Sequence, residues 1–93
     1  MNITERCSPN FDSREGHVVD MLVLHYTGMP TTEDAIKRMC DPAAKVSAHY
    51  VVEENGTCHR LVKDECRAWH AGLSKWRGHD NINQRSIGIE IVN

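Results

Sequence analysis

A nearly continuous apolar run over residues 18–26, interrupted by Asp20, begins the patterned part of the chain. Such a run, bounded by turn residues, is typical of a central strand that is covered on both faces. It ends at Thr27-Gly28-Met29-Pro30, so His25 is predicted to lie at the carboxyl end of a buried strand, where open α/β sheets bind their ligands. A hydrogen-bonded core histidine is the alternative interpretation, and this stretch alone favours it.

The next segment has the pattern of a short helix. A threonine cap and two acids open it at residues 31–34, and Ile36, Met39 and Cys40 then form one apolar face. Asp41-Pro42 is expected to end the helix, which we interpret as scaffold.

Two strand-like runs, residues 47–54 and 57–62, flank Asn55-Gly56 and predict a β-hairpin. This pair favours a two-residue type I′ turn, because both central positions need a positive φ. In that register Glu54 faces Thr57, and His49 lies toward the middle of the sheet. His59, nearer the turn, is expected to be a solvated edge residue.

The last strand is predicted to begin at Ser86 and raises the question of why it contains a glutamate. Alternation places Ile87, Ile89 and Ile91 on one face and Gly88, Glu90 and Val92 on the other. A carboxylate in a strand is costly to bury without a partner, so we expect a partner for Glu90. Gly88, with no side chain, would leave room for substrate.

The remaining segments have weaker patterns. Residues 1–17 are predicted to be an irregular lead-in to a single domain at 18–93, and residues 63–67 and 79–84 to be loops. Residues 68–78, with Trp69, His70 and Trp76, lack a period and suggest an ordered functional loop. The alternative is that both tryptophans plug the edge of a small core.

Composition excludes several classes of function. The chain has 93 residues, with 11 basic and 13 acidic side chains and no basic block, which argues against binding to nucleic acid or membrane surfaces. No segment resembles a signal peptide or a membrane span, so we expect a cytoplasmic protein. Four cysteines without knuckle spacing indicate reduced thiols; a structural zinc site on Cys58, Cys66 and a histidine is the alternative.

His25, His70 and Glu90 together suit a hydrolytic metal site. A divalent ion acts there as a Lewis acid, and a nearby carboxylate takes a proton from the attacking water. Apolar walls would raise the pKa of such a glutamate toward neutrality.

Five blocks of the chain resemble, in order and spacing, the type 2 N-acetylmuramoyl-L-alanine amidases. They are VLHYTG (23–28), VSAHY (46–50), NG (55–56), RAWHAGLSKW (67–76) and NQRSIGIE (83–90). That family uses zinc to hydrolyse the amide between N-acetylmuramic acid and L-alanine in peptidoglycan or muropeptides. The resemblance implies an α/β fold with a central mixed β-sheet flanked by helices.

Residue roles follow from the same resemblance. It makes His25 the first zinc ligand and Glu90 the general base, and it places Trp69, His70 and Asn83 around the substrate groove. For His70, contact with substrate or with a zinc ligand is expected rather than zinc ligation. His49, grouped with the substrate-binding candidates, matches a position near the groove floor with a structural or peripheral role.

The chain also differs from the family pattern in one respect. The family takes its other zinc ligands and a lysine from a segment downstream of the glutamate strand, whereas this chain ends three residues after Glu90. We therefore expect the front part of a zinc amidase domain, with the C-terminal part of the fold missing. A non-catalytic module that binds peptidoglycan or muropeptides is the alternative function.

Overall fold

The computed structural model describes residues 3–71, 75–76, 79–80 and 82–92, the side chains of 75–76 and 79–80 excepted. Its strands are β1 Ile3–Glu5, β2 Phe11–Ser13, β3 Met21–Tyr26, β4 Tyr50–Val52, β5 Cys58–Arg60, β6 Cys66–Ala68, β7 Lys75–Trp76, β8 His79–Asp80 and β9 Ser86–Ile91. The helices are α1 Thr32–Met39 and α2 Ile82–Arg85. None of the helices in these ranges is both long and apolar enough to cross a membrane.

Five strands form the main sheet, in the order β1-β5-β4-β9-β3. Strands β4 and β5 pair antiparallel, whereas β1–β5, β4–β9 and β9–β3 are parallel. The predicted α/β class with a mixed sheet is confirmed. Two further ribbons, β2–β6 and β7–β8, lie outside this sheet.

Helix α1 packs on the sheet and completes the core, as its sequence pattern predicts. Thr31 caps the helix, and its hydroxyl oxygen accepts a hydrogen bond from the Asp34 N–H at 3.1 Å. The helix buries Ala35, Ile36 and Met39. The buried apolar residues that they join come from β4, β6 and the neighbouring loops: Ala48, Val51, Leu61, Val62, Ala68 and Val92.

The first apolar strand forms at Met21–Tyr26, within the predicted run 18–26, but the prediction for its burial is wrong. Strand β3 is the terminal strand of the sheet order, and Leu22, Leu24 and Tyr26 are 64%, 58% and 70% exposed. An unbroken apolar run places apolar side chains on both faces but does not tell which faces other elements cover. The opposite face of β3, which carries His25, is partly buried.

The hairpin forms with a different turn. The Gly56 N–H donates to the Glu53 carbonyl at 2.9 Å and the Glu53 N–H to the Thr57 carbonyl at 2.8 Å, which leaves a three-residue loop, 54–56, with Gly56 at φ 90°. Asn55 does not have a positive φ, so the predicted type I′ turn is wrong.

The longer loop shifts the pairing by one residue, so that Val51 faces His59. His59 is then buried between β1 and β4 and lies 2.7 Å from a Glu53 carboxylate oxygen. The expectation of a solvated edge residue is therefore wrong.

The N-terminal segment is more ordered than predicted. Residues 1–17 include β1 and β2, and buried polar side chains at Ser8, Asn10 and Arg14 attach this segment to the rest of the fold. Asn10, for example, donates to the carbonyls of Asp41 and Val46 at 2.9 Å each. Polar anchors and strands this short have no apolar period, which is why the pattern missed them.

Two other predicted loops also contain regular structure. Strand β6 lies within the predicted connection 63–67 and its border, and β8 and α2 lie within or at the end of 79–84. The predicted start of the last strand at Ser86 is confirmed. The interpretation of the Trp76 side chain lies outside the described residues.

Candidate active site

His25 and Glu90 lie side by side on one face of the sheet. In the parallel pair β3–β9 the registered partners are Met21 with Ser86, Val23 with Gly88, and His25 with Glu90. Successive side chains alternate between faces, so each registered pair shares a face. The imidazole and the carboxylate that the sequence singled out therefore stand at the carboxyl ends of neighbouring strands.

Glu90 has the environment expected of a base. It is partly buried, and desolvation raises the pKa of its carboxyl above the ordinary value, while the nearby His25 acts in the opposite direction. A carboxylate with a raised pKa accepts a proton more readily than a fully solvated one. His25 is thus the residue that stands next to Glu90 across the strand pair.

His70 lies directly above Gly88. A Cβ built on Gly88 would stand 2.4, 2.5 and 2.8 Å from the Cγ, Cδ2 and Nδ1 atoms of the His70 ring. The absence of a side chain at position 88 therefore makes room for this imidazole rather than for substrate, which corrects the sequence-based interpretation.

The main chain of the loop that carries His70 is held by hydrogen bonds to Asn83 and Ser47. Asn83 accepts the N–H groups of His70 and Ala71 on its side-chain oxygen at 3.1 and 2.8 Å. The Trp69 N–H donates to the Ser47 hydroxyl at 2.9 Å, and the Ser47 N–H donates to the Trp69 carbonyl at 2.8 Å. Asn83, predicted to line the substrate groove, is buried and positions this loop.

Three imidazoles meet around Gly88. The His25 and His70 rings are 5.3 Å apart between centroids, and the His49 and His70 rings 6.2 Å, both in edge-on arrangements. Burial, then the neighbouring histidines and Arg14, lower the pKa of His70 to about 3. His70 is therefore neutral at physiological pH.

His49 lies beneath this cluster and has no exposed surface. Its Nδ1 accepts the Gly88 N–H at 3.1 Å, so the ring proton is on Nε2, which donates to the Cys66 carbonyl at 2.8 Å. Burial lowers the pKa of His49, and Arg14 lowers it further. This position fits the structural role that the resemblance implied, and it does not offer the direct substrate contact that the grouping suggested.

A pocket of about 160 Å³ opens beside Glu90. Trp69 and His70 form part of its wall, and Arg38 of α1 also lines it. His25 is connected to that wall by the 3.1 Å contact between its Nε2 and the His70 Nδ1. Trp69, His70 and Glu90 thus line one pocket.

Sequence reasoning missed two buried residues that support the site. The Arg14 guanidinium donates to the carbonyls of Asp64, Asn83, Gln84 and Ser86 at 3.0 to 3.2 Å. Ser86 is fully buried, and its hydroxyl contacts the His70 ring at 2.9 Å. Arg14 has no sequence signal within the irregular lead-in, whereas Ser86 shares the face of Gly88 and Glu90 and could have been found by alternation.

A family profile described as N-acetylmuramoyl-L-alanine amidase (Amidase_2) matches residues 15–93. This chain belongs to that family. The resemblance stated from the sequence motifs is confirmed.

Individual relatives agree with this assignment. The chain is 33% identical over 102 residues to 1,6-anhydro-N-acetylmuramyl-L-alanine amidase AmpD of Haemophilus influenzae, which covers 90% of this chain and 55% of that protein. A crystal structure of a selenomethionine AmpD derivative superposes with a TM-score of 0.82 and 31% identity over 99% of this chain and 62% of that one. The complex of AmiD from Escherichia coli with anhydro-N-acetylmuramic acid-L-Ala-D-γ-Glu-L-Lys superposes with a TM-score of 0.70 and 32% identity, over 90% and 39%. The chain spans about half the length of the AmpD relatives that it matches.

The family implies a zinc ion, and the described residues supply part of a site for it. Zinc binds imidazole nitrogens and carboxylate oxygens. His25 supplies an imidazole of this kind, next to Glu90 on the neighbouring strand. Among the described residues, no three His, Cys, Asp or Glu side chains are placed to hold a metal. The alternative zinc site on Cys58, Cys66 and a histidine is therefore not formed by these residues. His25 therefore fits as a single ligand of a site that needs further donors.

Proposed function

We propose that this chain carries the general base and one zinc ligand of an N-acetylmuramoyl-L-alanine amidase that hydrolyses the amide between N-acetylmuramic acid and L-alanine. The observation that carries this proposal is the registered pairing of His25 with Glu90 on neighbouring parallel strands. The raised pKa of Glu90 adds support, because a raised pKa helps a carboxylate to accept a proton and is not needed by one that only binds ligand. The cytoplasmic location stays a prediction.

We take muropeptides or peptidoglycan as the substrate class. The similar AmiD structure holds an anhydromuramyl tripeptide, and the AmpD relative is named for a 1,6-anhydro-N-acetylmuramyl substrate. The pocket beside Glu90 combines an aromatic side chain, Trp69, with the cation of Arg38. Arg38 forms no ion pair within the described ranges, so its charge is available to a carboxylate of a stem peptide.

In the proposed mechanism Glu90 accepts a proton from the attacking water and returns it to the leaving amine of L-alanine. His25 would hold zinc, which when bound supplies Lewis acidity toward the scissile carbonyl and the water. Trp69 and His70 bound the pocket and exclude bulk water from one side of Glu90. The partial burial that raises the pKa of Glu90 thus also prepares it as a base.

The test is turnover of anhydro-N-acetylmuramic acid-L-Ala-D-γ-Glu-L-Lys by the zinc-loaded amidase that contains this chain together with the remaining zinc donors, with chromatographic detection of the released peptide. Glu90→Gln should lower kcat about 10²- to 10⁴-fold, the usual contribution of a general base. Zinc affinity should stay close to that of the wild type, because the substitution keeps the shape of the side chain. Glu54→Gln, at an exposed position in the hairpin turn, is the matched control and should retain full activity.

Two outcomes would contradict the proposal. Undiminished turnover by Glu90→Gln would exclude Glu90 as the base. Tight binding of the muropeptide by the zinc-loaded wild type without any peptide release would favour the non-catalytic binding module.

A further inference from the structure

A chain of hydrogen bonds runs from the buried end of β9 to His25, and its directions can be deduced. Ser86 is fully buried, and its hydroxyl donates to the Ile82 carbonyl at 2.8 Å, four residues earlier in the chain. A serine hydroxyl has one proton. The Ser86 oxygen is therefore left as an acceptor for its other neighbour.

That neighbour is the His70 ring. The His70 Nε2 lies 2.9 Å from the Ser86 hydroxyl oxygen, so Nε2 must carry the proton that joins them. Both ring nitrogens of His70 are taken up by the Ser86 hydroxyl and the His25 ring, and no carboxylate among the described residues pairs with it, so a neutral imidazole fits this position. A neutral imidazole with its proton on Nε2 has an unshared pair on Nδ1, which makes Nδ1 an acceptor.

The last link is to His25. Its Nε2 lies 3.1 Å from the His70 Nδ1, and since Nδ1 is the acceptor, His25 must donate from Nε2. The remaining nitrogen of His25, Nδ1, makes no hydrogen bond within the described part of the chain. In a neutral ring protonated at Nε2, this atom carries the unshared pair.

We propose that Ser86 and His70 are positioning residues that hold His25 in its Nε2-protonated tautomer and leave His25 Nδ1 as the basic, ligand-donating atom. In most metal-binding histidines, the ring nitrogen that does not bind the metal donates a hydrogen bond to a carboxylate or a carbonyl, which orients the ring. Here a neutral histidine, itself oriented by a serine, serves instead. The catalytic meaning of this arrangement rests on the proposed function, whereas the tautomer does not.

Other contacts hold His70 in place for this task. Gly88 leaves space for the ring, and the Asn83 side chain fixes the main chain at His70 and Ala71. These contacts limit translation of the ring. The Ser86 hydroxyl then selects which ring nitrogen faces His25.

The direct test is ¹⁵N NMR of the histidine rings in the wild-type protein at neutral pH, without added metal. His25 should show a protonated Nε2 and an unprotonated Nδ1. A His25 ring protonated at Nδ1, or an even mixture of tautomers, would overturn the proposal without any variant.

Two substitutions at position 70 separate positioning from general structural damage. His70→Leu removes the acceptor, so the His25 tautomers should mix and the affinity for zinc alone should fall about 10- to 100-fold, the usual effect of losing such a partner. His70→Asn places an amide oxygen near the position of Nδ1 and should restore the single tautomer and much of the affinity. His17→Leu, at an exposed histidine, is the control and should change neither.

Ser86→Ala provides a second route if position 70 tolerates no change. It removes the acceptor for His70 Nε2, so both His70 and His25 should lose their single tautomers. An unchanged His25 spectrum in both Ser86→Ala and His70→Leu would refute the proposal. A fixed tautomer combined with full activity of Glu90→Gln would instead refute the proposed function and leave this inference standing.

Discussion

The contact between Gly88 and His70 allows a quantitative test of how the site is built. Gly88→Ala adds one methyl group at a position where the three nearest atoms, at 2.4 to 2.8 Å, all belong to the His70 ring. Real Cβ contacts are essentially never this short, so the ring must move. The backbone itself accepts alanine, since φ at Gly88 is not positive.

Opposing terms determine the size of the effect. Replacing glycine by alanine at a compatible position stabilises by about 0.4–1 kcal/mol through the unfolded state. Overpacking costs about 1–3 kcal/mol if the ring stays. If the ring leaves, its hydrogen bonds to Ser86 and His25 are lost at about 0.5–1.5 kcal/mol each. We therefore expect a net loss of about 1–2 kcal/mol in the free energy of unfolding.

A double-mutant cycle isolates the contact. The free energies of unfolding of wild type, Gly88→Ala, His70→Ala and the double variant would be measured by urea denaturation. In the His70→Ala background the added methyl group meets no ring, so Gly88→Ala should be neutral or slightly stabilising. The coupling energy should be about 1–3 kcal/mol, well above the error of such cycles.

The result that would refute this reasoning is additivity. If Gly88→Ala changes stability equally in both backgrounds, within about 0.5 kcal/mol, the ring does not lie over Gly88. Zinc affinity offers a second measurement on the same proteins. It should fall in Gly88→Ala, because a displaced His70 no longer contacts His25.

The remaining predictions concern buried polar groups. Because burial raises the pKa of Glu90 in the folded protein, the unfolded state loses its proton first as pH rises, and stability falls above pH 4.5, the ordinary value. Glu90→Gln should thus stabilise the protein at pH 7 and lose this advantage as the pH falls toward 4.5, which thermal unfolding across pH would show; an equal gain at every pH would contradict the cause. Arg14→Met leaves the carbonyls that Arg14 contacts without a donor and should cost about 2–4 kcal/mol in urea denaturation. Arg38→Met, at an exposed arginine, is its control, and an equal effect in the two variants would contradict the reasoning.

Sequence patterns were sufficient where a local rule decides the structure. The capped helix α1 and the start of β9 at Ser86 follow from capping chemistry and strand alternation, and both are confirmed. The pairing of His25 with Glu90 is different, because no local rule sets the register of strands that are far apart in sequence. The residue types suggested one metal site and the family resemblance gave His25 and Glu90 their roles, but neither predicted the register that pairs them.

Patterns failed where a small difference in energy selects between alternatives. The Asn55-Gly56 pair suits a type I′ turn and also the longer loop that forms, and the choice decides whether His59 is buried. Buried polar anchors were missed for another reason. Arg14 and Asn10 form hydrogen bonds with carbonyls that are far away in the sequence, so the neighbouring residues do not indicate these contacts.

Alternation along β9 explains how one short strand can organise most of this site. Ser86, Gly88 and Glu90 occupy every second position and so share one face. Ser86 orients His70, Gly88 accommodates the His70 ring and donates its N–H to His49, and Glu90 is the carboxylate beside His25. Each task requires a different residue type at a fixed spacing of two, and a one-residue change in register would turn all three away together. A glutamate within an otherwise apolar strand is therefore best understood together with the serine and the glycine that precede it on the same face.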